Sequence, residues 1–442
     1  MKSRESKNII SVVKDGLCTG CGTCVGVCSL SAIKMVKNEP RGIYIPRLDE
    51  ERARTKCNQC GICFRVCPGH SVDFRQLNSC IFGHEPQNAL LGNYLTCYIG
   101  HATDHEVRYN SASGGLVTAL LIFALEEGLI DGALVTKMNR DSPLEAQPFI
   151  ARTKEEIMSA SKSKYCPVPV NVAIKEILDT EKEQFAVVGL PCHIWGFRKA
   201  ELISKELRDK ISLHFGLFCT HVPSFLATEY ILKRMKVEKE DVSRLNYRGE
   251  GWPGKMSIVT KQTSIRLKVE DYYGSGFGSF LFCPVRCTLC PDALAELADI
   301  SFGDAWLSEL RTDKIGKSMV ISRSVTSGCL LDSAQKKGKI KLNAVNEEQV
   351  VQAQQGPLSF KKRLLPARVR LCKSTGKKVP NYNMKLSKTS LATYLSAMRC
   401  YAILYLGLQK HLRDSLIYRM LVGLFPLTQS SNGQIPKSCR PY

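Results

Sequence analysis

Eight cysteines near the start of the chain fall in two runs, Cys18, Cys21, Cys24 and Cys28, then Cys57, Cys60, Cys63 and Cys67. Each run reads C-x2-C-x2-C-x3-C, and Pro68 follows the second. In this spacing three close thiolates hold three corners of a cubane iron–sulfur cluster, and the fourth cysteine of each run serves the other cluster. Cys18, Cys21, Cys24 and Cys67 are therefore assigned to one [4Fe–4S] centre, and Cys57, Cys60, Cys63 and Cys28 to a second. Zinc sites favour separated C-x2-C pairs over unbroken runs of four. Disulfide frameworks belong to small secreted domains. The chemistry that remains is transfer of single electrons. Ser29 stands where proline commonly follows the first run, which alters a turn and removes no ligand.

A second constellation lies far downstream. Cys283, Cys287 and Cys290 sit in one short segment and are too few to complete a cluster alone. Cys192 and Cys219 are the candidate distant ligands, because each follows an apolar run that reads as a strand. Strand ends are where α/β folds expose chemistry. A lone cysteine is otherwise a buried, inert thiol. Taken together, these residues predict a third cluster. No side chain is assigned as a catalytic acid or base; His193 and His221 read as structural.

Elements must exist to position these thiols. At 442 residues the chain exceeds a ferredoxin and leaves room for at least one large domain. Residues 1–80 predict a compact two-cluster ferredoxin fold, with a short strand at Ile43, Tyr44 and Ile45. Residues 81–105 read as a connector, and a new unit starts near Tyr94. A helix apolar on nearly all sides follows Ser113, its expected N-cap. Apolar strands are expected at 132–136, 185–190, 211–219 and 298–304, alternating with helices, which argues for an α/β layer. Residues 247–254 and 274–278 read as loops.

The segments Ser113-Gly114-Gly115, Lys164-Tyr165, Gly189-Leu190-Pro191-Cys192, Phe218-Cys219 and Cys287-Thr288-Leu289-Cys290 occur in this order, followed by residues 298–303 and 318–323. In these, the chain resembles the beta subunit of coenzyme F420 hydrogenases and dehydrogenases, here fused to a ferredoxin. The resemblance implies an overall α+β chain: a bacterial-type two-cluster ferredoxin fold, then an α/β domain, about 94–360, that binds FAD and its own [4Fe–4S] cluster. It implies Cys192, Cys219, Cys287 and Cys290 as ligands, with Cys283 extra or substituting for one of them. His193 and the loop around Trp252 depart from the family pattern and bear on the substrate.

No G-x-G-x-x-G follows a strand, so a Rossmann site is not expected. Ser113, Gly114 and Gly115 would offer backbone N–H groups to a pyrophosphate at a helix start. Arg108 adds charge nearby. Lys162, Lys164 and Tyr165 form a basic loop suited to phosphates. A serine-capped structural helix and a solvated loop are the plain alternatives. A flavin accepts hydride and releases single electrons, so the implied reaction exchanges hydride between coenzyme F420 and FAD and passes electrons through the clusters. The expected partner is a ferredoxin or another redox subunit. The alternatives are a reductase of the same fold acting on an organic substrate, and a non-catalytic electron-transfer subunit.

The net charge of +21 is uneven. Residues 361–442 hold 16 Lys or Arg and one acid, +15, leaving 21 − 15 = +6 for the rest. This basic extension is interleaved with apolar stretches at 400–408, 416–418 and 420–425, and no uninterrupted apolar run reaches spanning length. An amphipathic helix on an anionic membrane and a helix docked on the protein's own core or on a partner both fit. No nucleic-acid motif is present. Free thiolates and the lack of an apolar leader in residues 1–6 predict a cytoplasmic protein, with the tail offering attachment to the inner membrane face.

Overall fold

The computed structural model describes residues 8–55 and 57–409; the apolar stretches expected at 416–418 and 420–425 lie outside the described residues. In the first unit, β1 (Ile33–Asn38) and β2 (Ile43–Leu48) form an antiparallel hairpin. Asn38 accepts the Arg41 N–H, and Gly42 closes the turn at φ 59°. Each cysteine run enters a short helix, Thr23–Gly26 or Ile62–Arg65, through a left-handed glycine, Gly22 (φ 86°) or Gly61 (φ 71°). A side chain at such φ is strained, so glycine lets the chain double back around a cluster.

The body continues with β3 (Thr96–Ala102), β4 (Gly132–Met138), β5 (Ala146–Ala151), β6 (Phe185–Gly189) and β7 (Ile211–Leu217). Next come β8 (Val242–Asn246), β9 (Lys255–Thr260), β10 (Ser264–Lys268), β11 (Ile300–Asp304), β12 (Ser318–Ser322) and β13 (Ile340–Val345). Eight of them make one mixed sheet, ordered β13-β3-β12-β11-β7-β6-β4-β5, and β8, β9 and β10 form a separate antiparallel sheet. The segment β4-β6-β7-β11 is parallel. Its strands are near-continuous apolar runs because both faces are covered. The helix Leu116–Glu126 packs on this sheet and buries almost its whole circumference.

Three expectations are corrected. The N-cap of that helix is Gly115, at φ 78°, and not Ser113. Ser113 Oγ instead donates to Lys317 O (2.9 Å) and meets Ser318 Oγ (3.0 Å), tying the turn to β12. The segment 81–105 is no mere connector, since β3 lies within it and pairs with both β12 and β13; its polar Thr96, His101 and Gly100 hid the pattern. Residues Tyr273–Phe277 form a helical turn, because Phe277 buries against Tyr165 and Tyr247 despite the local glycines.

Part of the basic extension is folded into the protein. Lys361 and Arg368, each 1% exposed, lie inside the protein. The helix Leu365–Ser374 packs Leu365, Val369 and Cys372 against Ile9, Val12 and Leu17 of the ferredoxin unit. The helix Leu391–Leu408, through Arg399, is long and apolar enough by length and composition to cross a bilayer. Its Ala397, Cys400, Ile403, Leu404 and Gly407 face inward, and a Cβ on Gly407 would lie 1.8 Å from Leu281 O. This helix is docked on the protein's own core.

Candidate metal centres

Cys18, Cys21, Cys24 and Cys67 line one cavity, walled by Ile9, Met35, Pro46 and Pro68. The Gly20 N–H points at Cys18 Sγ (3.4 Å) and the Gly69 N–H at Cys67 Sγ (3.3 Å). Such donors favour sulfur in its charged, metal-binding form. Beside this cavity Cys63 has Cys60 and Cys28 as ionisable neighbours. Cys24 also senses Cys63, so the two groups adjoin. Cys57 and Cys60 are exposed, which sets the second group at the surface.

The third group is built at one edge of the large sheet. β6 and β7 are parallel neighbours, so their C-terminal ends emerge side by side. Pro191 opens the helix Pro191–Glu201 directly after β6 and carries Cys192 into it; a proline at the first helical position loses no needed N–H. Cys219 follows β7 and donates its N–H to Ala293 O (2.9 Å). The buried Asp292 accepts Trp195 Nε1–H (3.0 Å) and the N–H groups of Leu294 and Glu296, fixing the Cys290 segment against the Cys192 helix. Cys219, Cys287 and Cys290 are all ionisable neighbours of Cys192, and so is Cys21 of the first group. Cys283 adjoins Cys287, to which its side chain hydrogen-bonds, and Cys400, with its thiol also directed at Pro284 O. Among the described residues no three metal-binding side chains converge on a single ion. A spread set of thiols suits a polynuclear cluster better than one zinc.

The charges around these thiols test the fit. Burial pushes the Cys219 thiol up to about 12. The hydrogen bond from Cys283, against burial and aided by Lys361, pulls Cys287 down to about 6. Three cations lie here, Lys361 and Arg286 buried and Lys199 half-buried, and the ionisable groups facing them are chiefly thiols. Lys361 faces Cys290, Cys219 and Cys287; Lys199 faces Cys67 and Cys21; Arg286 faces Tyr382, Cys290 and Cys287. A buried cation with no anion costs several kcal/mol. Neutral thiols cannot supply that anion, whereas thiolates on iron can. The residues present therefore fit iron–sulfur clusters.

The flavin candidates fall into two sets. Around the start of the helix Leu116–Glu126, Gly115 packs on Arg108. Arg108 is already engaged, with Nη2 on Asp313 (2.8 Å) and Nε on Gly316 O (2.9 Å). In the other set, Lys164 Nζ caps the carbonyls of Ala160, Ser161 and Lys162. Tyr165 stacks in a nest with Tyr247, Tyr273 and Phe277, while Lys162 lies along Gly249. The two sets flank one loop: Gly251 N–H donates to Tyr109 O, and Arg248 and Trp252 both bind Asp304 at the end of β11.

Sequence reasoning missed Lys199, Arg286, Lys361 and Asp292. Arg286 adjoins a predicted ligand and could have been flagged. Lys361 entered only as the first residue of the basic extension.

Comparison with known proteins agrees with this architecture. Residues 17–73 match a family profile described as a 4Fe-4S dicluster domain. Residues 97–175 and 182–348 match the N-terminal and C-terminal profiles of the coenzyme F420 hydrogenase/dehydrogenase beta subunit. The coenzyme F420 hydrogenase subunit beta of Methanococcus voltae is 31% identical over 254 residues, 54% of this chain and 84% of that protein. The coenzyme F420-dependent sulfite reductase of Methanocaldococcus jannaschii is 26% identical over 361 residues, 76% of this chain and 51% of that protein. A chain in the solved F420-reducing [NiFe] hydrogenase complex of Methanosarcina barkeri shares the fold, with TM-score 0.53 at 23% identity, over 67% of this chain and 99% of that one. A mixed sheet carrying cysteines at its strand ends, a ferredoxin unit docked beside them and these matches lead to one conclusion: the chain belongs to the coenzyme F420 hydrogenase/dehydrogenase beta subunit family.

Proposed function

We propose that this iron–sulfur oxidoreductase passes electrons between reduced coenzyme F420 and one-electron carriers through three [4Fe–4S] clusters in a row. The observation that carries the reading is adjacency. Cys192 of the third group neighbours Cys21 of the first, the first adjoins the second through Cys24 and Cys63, and the second opens to solvent at Cys57 and Cys60. Residues 1–80 then act as the outlet and 94–360 as the inlet. The third set of ligands is Cys192, Cys219, Cys287 and Cys290, with Cys283 beside them.

FAD, when bound, converts hydride to single electrons. We place it along the loop 247–254, where Lys162 and the Arg108 corner lie at opposite ends. The protein's part is to hold charge and exclude water. The Asp304–Arg248 pair is mostly buried and fixes that loop, and Trp252 and Trp306 shield it with ring centroids 4.8 Å apart. The electron acceptor is a redox partner or subunit, as the relative named subunit beta suggests.

The exposed face of the helix Leu391–Leu408 presents Leu391, Leu395, Met398 and Tyr405, with Lys385 and Lys388 exposed before it. We take this stripe as a seat on the anionic inner face of the cytoplasmic membrane.

The test mixes reduced coenzyme F420, methyl viologen and cluster-replete protein under argon. Rapid dye reduction, with about one FAD per chain that is lost in Lys162→Ala, is the expected result. Turnover of an organic substrate with reduced ferredoxin, and none with coenzyme F420, would favour the first alternative. No reaction of any kind without other subunits would favour the second.

A further inference from the structure

Two cations, Arg286 buried and Lys199 half-buried, grip the same turn of the ferredoxin unit from two different segments of the body. Arg286, 3% exposed, precedes Cys287. Its Nε donates to Leu17 O (3.1 Å) and Gly69 O (3.0 Å), and its Nη2 to Pro68 O (3.2 Å). Lys199 lies two helical turns beyond Cys192, and its Nζ donates to Cys67 O (2.8 Å) and Ser71 O (2.7 Å). Leu17 precedes Cys18, and Pro68 follows Cys67. Two of the three segments that carry third-group thiols, the Cys192 helix and the Cys287–Cys290 segment, therefore each send one cation across to the backbone around first-group thiols.

Arg286 Nη1 is buried and has no hydrogen-bond partner in the protein. Its guanidinium carbon lies over the Tyr382 ring, 5.7 Å from the centroid, and its charge is sensed by Cys18 as well as by Cys287. A mechanical brace needs no charge, and an unpaired buried guanidinium is costly. The charge is accounted for if anions lie on both sides. Cubane clusters with thiolate ligands are such anions, and their potentials respond to nearby charge and hydrogen bonding.

We propose that Arg286 and Lys199 form a two-point cationic clamp that fixes the separation of the third and first clusters and raises the potential of both, so that one electron passes between them. This rests on the cluster assignment above. In the step the third cluster is oxidised by one electron and the first reduced by one, with no bond made or broken and no proton moved. Both are positioning residues, acting through the clusters.

The test uses full-length, anaerobically purified protein: parent, Arg286→Lys, Arg286→Met and Lys199→Met. Iron is counted, midpoint potentials are taken by EPR-monitored redox titration, and spectra are recorded after full dithionite reduction. In the parent, broadened spin-coupled signals from adjacent reduced clusters are expected. In Arg286→Met and Lys199→Met at full iron content, two midpoint potentials fall while the third, that of the Cys57, Cys60, Cys63 and Cys28 cluster, stays, and the coupled signal sharpens. Arg286→Lys restores the potentials in large part. If Arg286→Met fails to retain iron, Lys199→Met and Arg286→Lys decide. Unchanged potentials and unchanged coupling in iron-replete variants overturn the clamp. A parent that holds only the two ferredoxin clusters overturns the cluster assignment instead, and the iron count separates the two failures.

Discussion

Replacing Lys361 by Met removes an ammonium that faces Cys219, Cys287 and Cys290 together. The side chain is 1% exposed, so solvent screens it little. Its hydrogen bond to Cys287 O, at 3.4 Å, is long and contributes about 1 kcal/mol or less. The charge is the larger effect. Two unit charges about 4 Å apart at an effective dielectric of about 20 interact by about 4 kcal/mol, so a cation beside these sulfurs is worth a few kcal/mol. For a one-electron couple that is on the order of 100 mV, since a tenfold change in equilibrium corresponds to about 59 mV. Electrons added to the cluster are stabilised by the cation, so the variant's third-cluster potential should fall by that amount. Lys361→Arg, which keeps the charge, should shift it far less. The assay is an EPR-monitored redox titration on samples matched for iron. A potential unmoved within about 20 mV in Lys361→Met, with the cluster retained, would refute the electrostatic reasoning.

The buried network of Arg198, Glu201, His214 and Asp299 makes stability depend on pH. His214 Nε2 meets Glu201 Oε1 at 2.6 Å and its Nδ1 meets Asp299 Oδ2 at 3.0 Å. Burial and Arg198 oppose the charged ring, yet the two carboxylates win and hold its pKa above the ordinary value. Its contribution is therefore full below about pH 6.5 and is lost as pH rises through the raised value. Against burial, Arg198 and His214 keep both carboxylates below their usual range, and that share is lost on acidification. His214→Asn should cost about 3 kcal/mol at pH 6 and flatten the decline toward pH 8 in anaerobic urea titrations; an unchanged slope would count against the network. Gly196→Ala places a Cβ 2.1 Å from Thr23 Oγ1 and 2.6 Å from Asn171 Nδ2. It should cost about 1–3 kcal/mol and speed proteolysis between the ferredoxin unit and β3, whereas parent-like resistance would mean this contact does not hold the units together. Co-sedimentation with phosphatidylglycerol vesicles should occur at low salt, weaken as salt rises, and fail for Leu395→Glu with Met398→Glu. Equal binding to phosphatidylcholine, or none to either lipid, would exclude the anionic seat.

What could be read from the chain divides along physical lines. The cysteine runs were legible because cluster geometry imposes short, fixed spacings. β6 and β7 were legible as apolar runs bounded by Pro191 and by the polar stretch after Cys219. β3 was not, because its pairing partners β12 and β13 lie more than 200 residues away and supply the context its own residues lack. Lys361 and Arg368 were legible only as part of a basic extension, since only the folded chain brings Lys361 to Cys287, 74 residues earlier. Ser113 has the type of an N-cap, but β12 offered it better partners in Lys317 O and Ser318 Oγ. Tertiary contacts overrode local preference in each case.

The most direct test of three thiolate-held clusters in series is iron and acid-labile sulfide per chain, measured on anaerobically reconstituted full-length protein alongside Cys192→Ser with Cys287→Ser. About twelve irons in the parent and about eight in the double variant are expected, four for each cubane. About eight in both would leave the ferredoxin unit intact and contradict a third cluster at the ends of β6 and β7.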